Sequence, residues 1–187
     1  MNSLTSCKIF KGNILFTQTP ESFTIIKGGY ITVVDGKVDS VYEDLPQRYN
    51  NCKIIDYGDK LIIPGMNDLH CHASQFRNLG LAMNKELIPW LNDYTFPEEG
   101  NFKDIDYSKS IYEKFIKEIW RQGTTRISVF ATVHKNGSME LLDLFIKSGL
   151  GAFVGKVNMD IIIHAACGTI REHAQMDQGM NDRGKKR

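Results

Sequence analysis

Between Pro64 and Asp160 the chain alternates short β-branched runs with amphipathic helical stripes, and this alternation restricts the fold more than any other feature. "KLIIPGMNDLHCH", "TTRISVFATV" and "AFVGKVNMD" read as strands, the first interrupted by Pro64 and Gly65. "YSKSIYEKFIKEIWRQG" and "SMELLDLFIKSG" read as helices between them. Strand, helix, strand, helix, strand is the order of parallel βαβ units. A closed eight-stranded barrel needs about 250 residues, and this stretch offers about 97. Three strands cannot close. The expectation is an α/β fold whose third strand is an open edge, with apolar surface exposed around Val129, Phe153 and Val157.

The helical assignments rest on period and punctuation. In the first helix Ile111, Phe115 and Ile119 recur every four residues, flanked by Tyr112, Ile116 and Trp120 in one wide apolar stripe. Ser110 and Glu113 fit a capping box, and Gly123 fits a left-handed stop. Ser138 is the expected N-cap of the second helix, and Gly149 its stop.

Residues 1–63 have no such stripe. "KIFKGNILFT" and "FTIIKGGYITVVDGKVDSVYE" are rich in Ile, Val, Phe, Tyr and Thr, punctuated by Gly28-Gly29 and by Asp35-Gly36, a dipeptide suited to a tight hairpin. The domain reading is therefore a small β unit over 1–63, βα units over 64–160, and a polar tail over 161–187. That tail is expected to be poorly ordered, with a short helix near Ile170–Met176 as the alternative.

Composition excludes several function classes. A hydrophobic fraction of 42% and a charged fraction of 24% suit a globular protein with a buried core. A net charge of +1 offers no electrostatic attraction to nucleic acid or an anionic membrane. No apolar run reaches the roughly 18 residues of a membrane span, and "MNSLTSCKIF" has no signal-peptide form. Cys7, Cys52, Cys71 and Cys167 lack framework spacing, so reduced thiols in a cytoplasmic protein are the expectation.

The chemistry concentrates in "IIPGMNDLHCHASQFRNLG". Side chains two apart on a strand share a face, so His70 and His72 project together while Cys71 points away. Two imidazoles so placed suit a divalent metal, zinc above all. A catalytic zinc site needs a third protein ligand. His134, at the end of the second strand, is the nearest candidate by topology, ahead of His164 and His173 in the tail. A structural zinc site using Cys71 or Cys52 would want paired Cys spacings that are absent.

"PGMNDLHCHASQFRNLGL", "LIPWLNDYTFPEE", "GTTRISVFATVH" and "AFVGKVNMD" resemble the N-terminal part of the guanine deaminases, zinc-dependent enzymes of the amidohydrolase superfamily, over residues ~1–160. The Pro-Gly-x-x-Asp-x-His-x-His core points to the superfamily. Ala73-Ser74-Gln75 and Trp90-Leu91-x-x-Tyr94-Thr95-Phe96-Pro97 narrow it to guanine deaminases.

The resemblance implies an incomplete (β/α)₈ barrel of the amidohydrolase kind, its first three or so strands preceded by part of a β-sandwich. It implies His70 and His72 as zinc ligands, Gln75 hydrogen-bonded to the purine edge, and Trp90 lining the guanine pocket. The implied reaction is hydrolysis of guanine to xanthine and ammonia, with zinc activating water and an acid/base group serving the departing amine. Family members are expected to be homodimers, with a purine rather than nucleic acid as partner. The family's Pro-Arg-Phe segment, its His-x-x-Glu segment carrying the proton shuttle, a further histidine and a late aspartate have no counterpart here. No catalytic acid/base is therefore assigned. The resemblance ends after Asp160, which implies a truncated or frame-shifted, inactive form. The alternatives are another nucleobase or aromatic-heterocycle aminohydrolase, and a non-catalytic fragment or binding module.

Overall fold

The computed structural model describes residues 6–158, which separate into two compact units dividing between Pro64 and Gly65. The first unit is a four-stranded sheet. Strands β1 (Cys7–Thr19), β2 (Ser22–Val34), β3 (Lys37–Tyr42) and β4 (Lys53–Ile62) lie in the order β3-β2-β1-β4. β1, β2 and β3 form antiparallel pairs, whereas β4 runs parallel to β1. Asp35 and Gly36 both take positive φ, 50° and 78°, as the tight β2–β3 turn requires. Gly28-Gly29 does not end a strand. β2 runs through it on a register shift, with the Gly28 amide donating to the Asn13 side chain at 3.1 Å.

The parallel β1–β4 ladder sets Lys8 opposite Lys53, which brings the preceding residues together. Cys7 and Cys52 form a disulfide across a Cα–Cα distance of 5.4 Å. The expectation of four reduced thiols is corrected here. The pairing comes from a long-range strand register, which cysteine spacing along the chain does not encode.

The second unit carries the βα alternation. β5 (Met66–His72), β6 (Thr124–Phe130) and β7 (Gly151–Gly155) form a parallel sheet in that order. A 3₁₀ turn (Ala73–Asn78) follows β5. Next comes a helical segment made of α1 (Leu87–Trp90), a π turn (Leu91–Thr95) and α2 (Phe96–Asn101). Helix α3 (Ile105–Arg121) leads into β6, and α4 (Lys135–Ser148) leads into β7.

One sheet face is covered. Ile127, Val129 and Ala131 pack with Ile111, Phe115 and Ile119 of α3 and with Leu141 and Phe145 of α4 in a single buried cluster. Val129 was expected among exposed apolar residues, but it sits on this covered face at 2% exposure. Phe153, level with Ser128 on the other face, is 83% exposed, as expected of a sheet face without covering helices. Trp120 is corrected in the other direction. It lies at the margin of the α3 stripe and is half exposed.

Both helix starts differ from expectation. Helix α3 begins at Asp104, whose carboxylate accepts from the amides of Asp106 and Tyr107 at 2.9 and 3.3 Å. Ser110 therefore lies within the helix. Helix α4 begins after His134, and the Ser138 hydroxyl donates to the Thr132 carbonyl at 2.8 Å. In α3 the Asp104 cap sets the earlier start, its first residues Ile105 and Asp106 being exposed, whereas the first turn of α4 buries Gly137 and Ser138. Gly123 and Gly149 take the expected left-handed conformation at φ 79° and 78°.

The β5–β6 ladder is irregular where it matters. Asp68 pairs with Ile127 and Cys71 with Val129, so β5 spends one more residue than β6 over this interval. This is a β-bulge across Leu69 and His70, and it re-phases the strand from Cys71 onward.

Candidate active site

After the bulge, Cys71 shares the phase of Val129 and packs against the buried cluster. His72 shares the phase of Phe130 on the other face. The His70 and His72 ring centroids are 5.1 Å apart, and they stand 5.6 and 5.1 Å from the Phe130 ring. The two imidazoles and one aromatic edge thus form a cluster at the C-terminal end of two parallel strands. The Asp68 carboxylate accepts from the His70 amide at 3.1 Å, fixing the backbone within the bulge.

Burial lowers the pKa of His72 below the ordinary histidine value, and the nearby His70 pushes it the same way, while Glu99 opposes both. A lowered value favours the neutral imidazole, the form a metal ion needs. Burial raises the Cys71 thiol, with the Asp68 charge adding to it. Cys71 is therefore a protonated, core-facing thiol, and Cys52 is tied to Cys7.

The donor chemistry fits half of a zinc site. Two imidazoles share one face, yet among the described residues no group of three or more His, Cys, Asp or Glu is close enough to hold a metal ion. His134 sits at the end of β6, where topology placed it, as the N-cap of α4. It is not gathered with the pair. His164 and His173 lie outside the described residues.

A cavity of about 490 Å³ opens beside β5, lined by His72, Gln75, Phe76, Asn78 and Trp90 among others. It brings together three of the four residues singled out from the sequence; His70 stands outside its lining. Gln75 projects from the 3₁₀ turn, and its side chain makes no hydrogen bond among the described residues. The Trp90 indole N–H donates to the Leu81 carbonyl at 3.1 Å, which fixes the ring plane. An aromatic wall beside an amide offering both donor and acceptor suits a flat, polar heterocycle.

One residue at this site escaped the sequence reading. Glu99 is only 2% exposed. Its carboxylate accepts from the Thr132 hydroxyl and from the Val133 amide, the latter at 2.8 Å. A Glu beside another Glu and a Gly in a polar stretch gives no sign of burial.

No family model matches the chain. It is 35% identical over 170 residues to guanine deaminase from Dictyostelium discoideum, covering 82% of this chain and 38% of that protein. It is 35% identical over 138 residues to guanine deaminase from Escherichia coli K12, covering 72% of this chain and 31% of that protein. Among solved structures it superposes on guanine deaminase from C. acetobutylicum with bound guanine in the active site. There the TM-score is 0.89 and the identity 48%, over 97% of this chain and 44% of that one. The chain thus spans less than half the length of these proteins. It is a relative of the guanine deaminases, corresponding to their N-terminal part.

Proposed function

We propose that this chain carries the N-terminal part of a guanine-deaminating site. In this reading His70 and His72 are two of the zinc ligands, and Gln75 and Trp90 recognise the purine. The three parallel strands are the first of an amidohydrolase-type barrel. The observation that carries the proposal is the same-face histidine pair beside a cavity lined by Gln75 and Trp90. The 48% identity to a protein with guanine in its active site supports the choice of purine.

Zinc, when bound, supplies the Lewis acidity that activates water for attack on the amino-bearing carbon. The chain's own residues do the rest of what is in reach here. Trp90 offers a face on which the bicyclic ring stacks. Gln75 presents a carbonyl to a ring N–H or exocyclic amine and an N–H to a ring nitrogen or carbonyl. The Phe130 ring flanks both imidazoles, at 5.6 and 5.1 Å, and gives the pair one apolar neighbour.

Alone, the chain is proposed to be inactive, because no third ligand joins the pair among the described residues. The same observation favours a second reading, a non-catalytic module that binds without turnover. The test is conversion of guanine to xanthine, followed by ultraviolet absorbance with zinc added, together with equilibrium dialysis of guanine. Guanine binding that is lost in Gln75→Ala and Trp90→Ala, without turnover, is the expected result. Turnover on the order of 1 to 10³ per second would overturn the inactive reading, and no binding at all would overturn the purine assignment.

A further inference from the structure

The segment that bears Trp90 is continuous helix from Leu87 to Asn101, through α1, the π turn and α2. At its far end two adjacent glutamates reach in different directions. Glu98 accepts from the Tyr107 hydroxyl and lies 3.9 Å from Arg77, on the 3₁₀ turn that carries Gln75. Arg77 is more than half exposed, so that ion pair contributes little. Glu99 turns inward. It accepts from the Thr132 hydroxyl and the Val133 amide just beyond the C-terminal end of β6. The Thr132 oxygen in turn accepts from the His134 amide at 3.3 Å, where α4 begins.

A buried carboxylate is a poor way to gain stability. Desolvation offsets much of what its hydrogen bonds return, and a well-packed apolar side chain does as well or better. What a fully buried acceptor with two defined donors provides is a unique geometry. Glu99 joins two parts of the chain 34 positions apart: the helical segment that holds Trp90 and the strand end that adjoins the histidine pair.

We propose that Glu99 is a positioning residue for ligand recognition. It pins the 87–101 helical segment to the end of β6, so that the Trp90 ring stands as a wall of the cavity. Glu99 does not touch the ligand itself. The inference rests on reading Trp90 as the purine wall.

The experiment uses the full chain in a Trp120→Phe background. The chain has two tryptophans, so Trp90 becomes its only one. Accessibility of Trp90 to acrylamide, guanine affinity and zinc affinity are then measured for Glu99→Ala, Glu99→Gln and Thr132→Val. Glu99→Ala should raise the quenching constant of Trp90 at least twofold and weaken guanine about tenfold. Zinc affinity should stay within twofold in Thr132→Val, which leaves both the histidines on β5 and the Glu99 carboxylate in place. Both bonds end on one oxygen, so Glu99→Gln keeps the acceptor for both and should stay close to the parent. Thr132→Val removes one donor, leaves the carboxylate, and should move Trp90 in the same direction by less. If Glu99→Ala fails to fold, Thr132→Val decides. Unchanged Trp90 quenching in Glu99→Ala and Thr132→Val would overturn the proposal, as would equal losses of zinc and guanine affinity in Thr132→Val. A parent chain that shows the Trp90 response but binds no guanine would sink the substrate assignment while leaving the positioning role in place.

Discussion

Gly137 faces the backbone carbonyl of Phe102 so closely that a methyl group at position 137 would lie 2.7 Å from that oxygen, and 2.9 Å from the Thr132 methyl. Helix α4 therefore approaches the start of α3 through a residue with no side chain. Gly137→Ala normally favours a helix by up to about 1 kcal/mol. Here the clash should reverse the sign and destabilise the second unit by about 1–3 kcal/mol. Urea unfolding at micromolar concentration checks this, and an unchanged or higher midpoint would mean that α4 can shift freely.

The histidine pair should bind zinc weakly and together. Removal of both imidazoles in a His70→Ala, His72→Ala double variant should reduce zinc affinity at least tenfold, about 1.4 kcal/mol. Calorimetric titration of the two proteins makes the comparison. Equal affinity would take the pair out of the metal site.

Cys71 supplies a pH test. Its pKa is raised by burial, so the folded thiol stays neutral to higher pH than the unfolded one. The sign follows: its contribution to stability is present below the unfolded pKa and is lost as pH rises through the folded value. Alkylation at Cys71, mapped by peptide mass against pH, should lag that of the urea-unfolded chain. Coincident profiles would show that Cys71 is not held in the core.

The edge strand makes a prediction about association. β7 borders the sheet and Phe153 is 83% exposed on it. The chain alone should elute from size exclusion as a concentration-dependent mixture, and Phe153→Lys should shift it toward monomer. A monodisperse, cooperatively melting parent would mean that residues 64–160 form a domain in their own right.

The parts of the fold legible in the sequence were those set by local chemistry. Gly123, Gly149 and Asp35-Gly36 announced their turns because only certain residues accept positive φ. The Ile111, Phe115, Ile119 stripe announced its buried face. Helix starts were less legible: Ser110 and Ser138 are good caps in isolation, yet Asp104 caps the first helix earlier and burial of Gly137 and Ser138 extends the second. The Cys7–Cys52 bridge and the Glu99–Val133 bond join residues 45 and 34 positions apart, and no local pattern encodes such distances. Gln75 and Trp90 were singled out by resemblance; on residue type alone each reads as ordinary.

The bulge in β5 has the last consequence. Because Asp68 pairs with Ile127 and Cys71 with Val129, the interval between Asp68 and Cys71 acts as a frame-setter for everything after it. Were the ladder to run regularly from Asp68 with every residue kept, His70 would fall opposite Val129 and Cys71 opposite Phe130, turning the histidines toward the helices and the thiol toward the open side. Deleting either Leu69 or His70 would instead remove the bulge and let Asp68 and Cys71 both keep their present faces. The extra beat, rather than the composition of this stretch, thus decides which way the histidine pair looks.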